Sequence, residues 1–178
     1  MKQSDFPQPP PEIAGKRVLL RRLSENDRPR LRSILAEQGV ARWWAPRGAE
    51  AAVNDLYADE VVYAVEIEGV VAGAIEFHEE DSPDYRHAGI DIFLDEAHQG
   101  CGYGGDAIRA MARYLCTERG HHRLTIDPAV ANERAIRAYE RVGFRRVGVM
   151  RQYERGADGS WHDAQLLDML RDELGEEI

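Results

Sequence analysis

Two features of the chain could do chemistry: a glycine-rich turn and an acid, Asp91, set in an apolar run just ahead of it. The turn reads Gln99-Gly100-Cys101-Gly102-Tyr103-Gly104-Gly105. Ile90-Asp91-Ile92-Phe93-Leu94 precedes it, and Ala107, Ile108, Met111, Ala112 and Leu115 recur at helical spacing after it. Four glycines in seven residues permit backbone conformations closed to other residues and let the chain approach a ligand closely. Such a turn, opening a helix, aims unpaired N–H groups and the positive end of the helix dipole at an anion. Strand, turn and helix together predict a cradle for a diphosphate. Asp91 is the second feature. An ionised carboxylate in an otherwise apolar strand is costly unless it meets water, a cation or hydrogen-bond donors, and carboxylates perturbed in this way gather at active sites. It could take a proton from an ammonium group, directly or through water.

Two familiar phosphate motifs are excluded. No Gly-Lys-Ser/Thr is present to reach a terminal phosphate and a magnesium ion. The glycine spacing is Gln-x-x-Gly-x-Gly, more than halfway along the chain, and not the Gly-x-Gly-x-x-Gly that opens a dinucleotide fold. No metal site is expected: His87, His121 and His122 lack ligand spacing, and Cys101 and Cys116 form neither a Cys-x-x-Cys pair nor a disulfide framework. Cys101 sits where backbone does the binding, so no covalent intermediate is expected on it.

The length of 178 residues fits one domain with a substantial core, and 43% hydrophobic with 31% charged residues reads as a soluble globular protein. A net charge of −9 argues against nucleic acid and favours cationic ligands, which an acidic cleft concentrates. Without a membrane-spanning run, a signal-peptide pattern or a disulfide framework, the expected location is the cytoplasm, with no membrane partner.

The positioning elements follow from punctuation and periodicity. Pro7 and Pro9–Pro11 predict an extended arm over residues 1–15, ahead of a single domain at 16–178. A strand is expected over Arg17–Leu23. A helix capped by Ser24 should end near Glu37 with Leu31, Ile34 and Leu35 buried, Pro29 falling in its first turn and Gly39 closing it. A short helix should cover Ala49–Ala58. Val61–Ile67 and Val70–Phe77 flank Glu68-Gly69 as a hairpin, and His87–Leu94 is a third long strand. The helix after the glycine turn ends near Arg119-Gly120. His122–Ile126 is a strand, Asn132–Arg141 a helix, and Phe144–Tyr153 with Trp161–Leu170 a closing strand pair.

This order, the Gln99–Gly104 loop, and Asn132-x-x-Ala135-x-x-x-Tyr139-x-x-x-Gly143-Phe144 resemble the GNAT-type N-acetyltransferases. The resemblance implies a single-domain α/β (α+β) fold, a mixed, mostly antiparallel sheet flanked by helices, and acetyl-coenzyme A as co-substrate. It implies that Gln99, Gly100, Cys101, Gly102, Tyr103, Gly104 and Gly105 hold the pyrophosphate. The edge of Ile92, Phe93 and Leu94 would pair with the pantetheine arm, and Tyr139 would meet the thiol sulfur as acid or hydrogen-bond donor. Asn132 either bonds the cofactor's amides or caps the helix. Asp91, beside the pantetheine edge, is the candidate general base.

Within that family the chain resembles the aminoglycoside 6'-N-acetyltransferases. The shared segments are Val40-Ala41-Arg42-Trp43-Trp44, Tyr63-Ala64-Val65 leading into Gly69–Gly73, Gly89-Ile90-Asp91, and Asp127-Pro128 with Asn132 and Arg134–Arg137. This implies a substrate site of Trp43 and Trp44 as walls, with Asp91, Asp127, Glu76 and a late acid, Asp158 or Asp163, spread for several ammonium groups. The glycines lie about one residue out of step with those of the resistance enzymes, and Gly156–His162 does not align. Two other readings stay open: an N-acyltransferase for a protein N-terminus, a polyamine or a lysine in siderophore assembly, and a non-catalytic acyl-coenzyme A-binding regulator. Monomer and homodimer are both open, because an exposed last strand could pair across a two-fold or be covered by the arm.

Overall fold

A computed structural model describes residues 8–58 and 61–175. Its elements run β1 (Glu12–Ala14), β2 (Leu19–Arg22), α1 (Arg28–Leu35), α2 (Gln38–Trp44), α3 (Ala49–Ala58), β3 (Val62–Ile67), β4 (Val70–Glu80), β5 (His87–Leu94), α4 (Tyr103–Thr117), β6 (Arg123–Ile126), α5 (Glu133–Val142), β7 (Arg145–Arg155) and β8 (Trp161–Leu170). The strands form one mixed sheet in the order β1-β2-β3-β4-β5-β6-β8-β7, antiparallel throughout except for the pair β5–β6. No helix among the described residues is long and apolar enough to cross a membrane.

Strand alternation divides the core in two. Ile75, Phe77, Ile90 and Ile92 pack with Ile108, Met111 and Leu115 of α4. Ala74 and Phe93, on the opposite face, pack with Leu31, Ile34 and Leu35 of α1 and Val53 and Leu56 of α3. With a side-chain period of two, Asp91 shares the face of Phe93. The polar residue that interrupts the apolar run is therefore aimed out from under α4.

The parallel ladder that follows is short. β5 and β6 are registered only at Ala88↔Leu124 and Gly89↔Thr125. Beyond Gly89 the two strands part, and Asp91–Leu94 has no β6 residue opposite it. On the other side β5 stays tightly bound to β4. A Cβ on Gly73 would lie 2.0 Å from the Phe93 carbonyl oxygen, so only glycine allows that approach.

Three departures from the sequence reading have structural causes. The first helix ends at Leu35, and a second, α2, follows at once. Glu37, with ψ of 134°, turns the chain between them. A reciprocal clamp holds the new helix: Glu96 Oε1 accepts from the Gly39 N–H at 2.6 Å, and Glu37 Oε2 accepts from the Glu96 N–H at 2.7 Å. Gly39 starts a helix here where it was expected to close one. Second, part of the expected arm is in the sheet: Glu12–Ala14 pairs with β2, and Ile13 packs on the core. Residues 1–7 of that arm, and 59–60 and 176–178 of the expected domain, lie outside the described residues. Third, β7 is the edge strand and lies at the far side of the sheet from β1, so the described arm does not cover it.

A buried ion cluster ties β4 to the end of α4. Glu79 bonds Arg119 with both oxygens and accepts from His121 Nε2 at 2.6 Å. The Arg119 and His121 side chains are 4% and 0% exposed. Burial by itself pushes the Glu79 carboxyl up, but the bonds from His121 and Arg119 hold it below the usual range.

Candidate active site

The parting of β5 from β6 opens a cleft of about 940 Å³. Its floor is Ile92, Phe93 and Leu94; α2, the glycine turn and α5 form its walls. The turn adopts the geometry the sequence asked for. Gly100 and Gly102 have φ of 79° and 88°, in the left-handed region that favours glycine. Gly102 is the N-cap of α4, and the first turn of that helix presents N–H groups without intrahelical acceptors. Gln99, Gly100, Gly102, Gly104 and Gly105 line the cleft, with the Gln99 amide donating to the Leu94 carbonyl at 2.8 Å.

Two members of the expected cofactor set turn their side chains away from the cleft. Neither Cys101 nor Tyr103 lines the cleft. The Cys101 carbonyl accepts from the Arg17 guanidinium at 2.9 Å, and the same guanidinium lies 4.1 Å from the centroid of the Tyr103 ring. Both residues brace the back of the turn against the β1–β2 connection. Asp106 reinforces that brace, its carboxylate accepting from the backbone N–H groups of Lys16, Arg17 and Val18.

Cations flank the turn. A Cβ on Gly100 would lie 3.0 Å from Arg134 Nη2, and one on Gly105 would lie 3.3 Å from Arg109 Nη1. Oriented N–H groups, two guanidinium groups and an unregistered strand edge make up a donor set that fits a diphosphate carrying an amide-bearing tail. The glycines were visible in the sequence; the arginines were not singled out, because their place depends on α5 folding back over α4.

Tyr139 links this cradle to a group of acids that lie beside the cleft and not among its lining residues. It lines the cleft from α5, and burial first, then the Asp91 and Asp127 carboxylates, push its hydroxyl well above the usual phenol range. Tyr139 therefore carries its proton at neutral pH. Asp91, 35% exposed in its side chain, is pushed up to about 6. Burial is the largest cause, Asp127 and Glu154 add to it, and His78 opposes. Three carboxylates within each other's field make a site for cations, and one of them is poised to exchange protons near neutrality.

The remaining expected residues divide. Trp43 and Trp44 both line the cleft; Trp44 also stacks on Phe93 at 5.0 Å and so belongs partly to the core. Glu76 lies directly across from Asp91 on β4. The Asn132 side chain caps α5, accepting from the Ala135 N–H at 3.2 Å, while the residue still lines the cleft. Asp127 faces the cluster and accepts from the Tyr153 hydroxyl at 2.9 Å.

Neither expected late acid joins this cluster. Asp158 folds into its own turn, bonded to Ser160 and to His162 at 2.9 Å. Asp163 accepts from the Gln152 N–H at 2.8 Å and fixes a bulge there. The acid that reaches Asp91 and Asp127 is Glu154, with Tyr153 beside it. The cause is the bulge: Gln152 has φ of 51°, and the β7–β8 register shifts between Met150 and Glu154. Four steps along β7, from Met150 to Glu154, oppose two along β8, from Ala164 to His162, so the chain leaves regular strand geometry at Gln152 and a uniform strand pattern does not place Glu154.

Residues 17–145 match the family model described as an acetyltransferase (GNAT) domain. The chain is 28% identical over 155 residues to the aminoglycoside N(6')-acetyltransferase type 1 of Klebsiella pneumoniae, covering 75% of this chain and 76% of that protein. Its fold superposes on Mycobacterium smegmatis RimJ in complex with a coenzyme A disulfide with a TM-score of 0.82 at 21% identity, over 96% of this chain and 92% of the other. It also superposes on RimL, a ribosomal alpha-N-protein acetyltransferase in complex with coenzyme A, with a TM-score of 0.74 at 20% identity, over 91% and 99%.

Proposed function

We propose, from the premise that this chain belongs to the GNAT acetyltransferase family, that it acetylates the 6'-amine of aminoglycosides by direct transfer in a ternary complex, as an antibiotic-resistance activity of the cytoplasm. The observation that carries this reading is the cluster of Asp91, Asp127 and Glu154, whose first two members act on Tyr139, a residue lining the cleft. A cluster of carboxylates held by three different strands or their ends suits a polycation. The type 1 enzyme of Klebsiella, similar over three quarters of the chain, points to the same substrate class.

Acetyl-coenzyme A, the family's co-substrate, supplies the activated acetyl group when bound. The N–H groups at the start of α4 would hold its diphosphate with Arg109 and Arg134, and the free edge of Ile92–Leu94 would pair with its amides. Asp127 and Glu154 would anchor the drug's other ammonium groups, with Trp43 as a wall. Asp91 accepts the proton that frees the attacking amine, a role its raised pKa suits, because it can both take up and release a proton near neutral pH. Tyr139, kept protonated, donates toward the departing sulfur.

Tyr139→Phe is expected to lower kcat by about 10²-fold with the KM for acetyl-coenzyme A nearly unchanged. A variant that instead lost cofactor affinity alone would reassign Tyr139 to packing. The function itself is tested by thiol release from acetyl-coenzyme A with kanamycin, beside a matched aminoglycoside that bears a 6'-hydroxyl. Turnover with kanamycin alone is the expected result. Turnover with neither, but with peptide amines or spermidine, would replace this reading with the alternative acceptors.

A further inference from the structure

The direct-transfer reading leaves one proton unplaced. An acceptor R–NH3+ gives a proton to Asp91, attacks as R–NH2, and becomes an amide after losing a second proton, which balances the one the thiolate gains. Each cycle therefore leaves one proton on Asp91 that must reach solvent before the next. Asp91, 35% exposed, has Glu76 across the strand pair, Tyr139 of α5, and Asp127 and Glu154 as neighbours.

One further neighbour of Asp91 is an imidazole. His78 Nδ1 lies 3.7 Å from Asp91 Oδ2, just beyond a direct hydrogen bond and within reach of one through a small ring rotation. The His78 side chain is 65% exposed, so the ring is in contact with water. A second feature shows how the ring is seated. His78 is registered opposite Gly89 on β5, and Asp91 is the next residue on that face. A Cβ on Gly89 would lie 2.0 Å from His78 Cε1 and 2.2 Å from Nε2. Gly89 has no positive φ to explain it, so the missing side chain serves the imidazole: the ring lies flat across the bare backbone and points at Asp91.

We propose that His78 is the proton exit of the site, taking the proton from protonated Asp91 on its Nδ1 and releasing one from Nε2 to solvent after each transfer. The role rests on the direct-transfer reading with Asp91 as base. His78 acts through Asp91 and does not touch the acceptor amine. A relay through imidazole needs no further reactant, since the ring gains a proton at one nitrogen and loses one at the other.

The test is thiol-release turnover of His78→Ala and of Gly89→Ala, each in a weakly buffered medium with increasing imidazole. His78→Ala is expected to lose about tenfold in kcat, less than direct acid–base loss because Asp91 remains partly exposed. The KM for the amine should hold, and imidazole should restore kcat with saturation. Gly89→Ala keeps the histidine but pushes its ring aside, and should show the same loss and the same rescue. The acid limb of kcat/KM should also move upward in His78→Ala, because His78 is the neighbour that opposes the rise in the Asp91 pKa. Unchanged kcat, or a loss that imidazole does not restore, overturns the relay while leaving the acetyltransferase reading standing. A wild-type protein silent with every amine would overturn both.

Discussion

Asp91→Asn is expected to reduce turnover with an aminoglycoside by about 10²-fold or more, the usual contribution of a positioned general base. Asparagine keeps the shape and polarity of the side chain but cannot accept the proton. In the wild-type enzyme the acid limb of kcat/KM should fall with a midpoint near the Asp91 value of about 6, and the residual activity of the variant should lose that limb. The same substitution should act oppositely on stability. The folded-state value lies above the ordinary 3.8, so the folded protein binds more protons than the unfolded chain between these values. Ionising Asp91 therefore costs stability as the pH rises through that window, and asparagine removes the cost. With allowance for a side chain 35% exposed, the gain should be about 1 kcal/mol at neutral pH and should vanish below about pH 4. Near-normal turnover across the pH range would remove Asp91 from the role of base.

Glu79→Ala should produce the largest change in stability. Glu79 is the shared partner of Arg119 and His121, and its removal leaves the Arg119 charge 4% exposed without its carboxylate. Breaking a buried pair from one side costs about 3–5 kcal/mol, because the remaining charge has been desolvated without compensation. For a domain of this size that corresponds to a fall in Tm of roughly 10 °C. Glu79 lies on the α4 face of the sheet, opposite Asp91, so kcat at low temperature should stay close to that of the wild type. A loss under about 1 kcal/mol in urea unfolding would show that Arg119 finds enough support from its other neighbours.

The sequence carried the outline of this fold because its strongest signals are local. Glu68-Gly69 between two apolar runs marks a hairpin, and Glu68 and Gly69 indeed take φ of 50° and 80°. The α4 stripe from Ala107 to Leu115 is buried as its periodicity requires. The glycine turn was legible for the same reason: positive φ at Gly100 and Gly102 is a demand on residue type. Asp91 announced itself as a polar residue in an apolar strand. What was not legible depends on contacts distant in sequence. The break that creates α2 is held by Glu37 and Glu96, 59 residues apart. Glu154 was passed over because the β7–β8 register slips by two residues around Gln152, and that bulge is fixed by Asp163 from the partner strand. His78 was not singled out, because only its register against Gly89 places it beside Asp91.

The most direct measurement of the central claim is the position of the acetyl group on the product, read by two-dimensional NMR of kanamycin after reaction with acetyl-coenzyme A and the wild-type protein. The account requires a single monoacetylated product with the amide at the 6' nitrogen. An acetyl group on any other amine, or unmodified drug under conditions where a peptide or polyamine is acetylated, would contradict it.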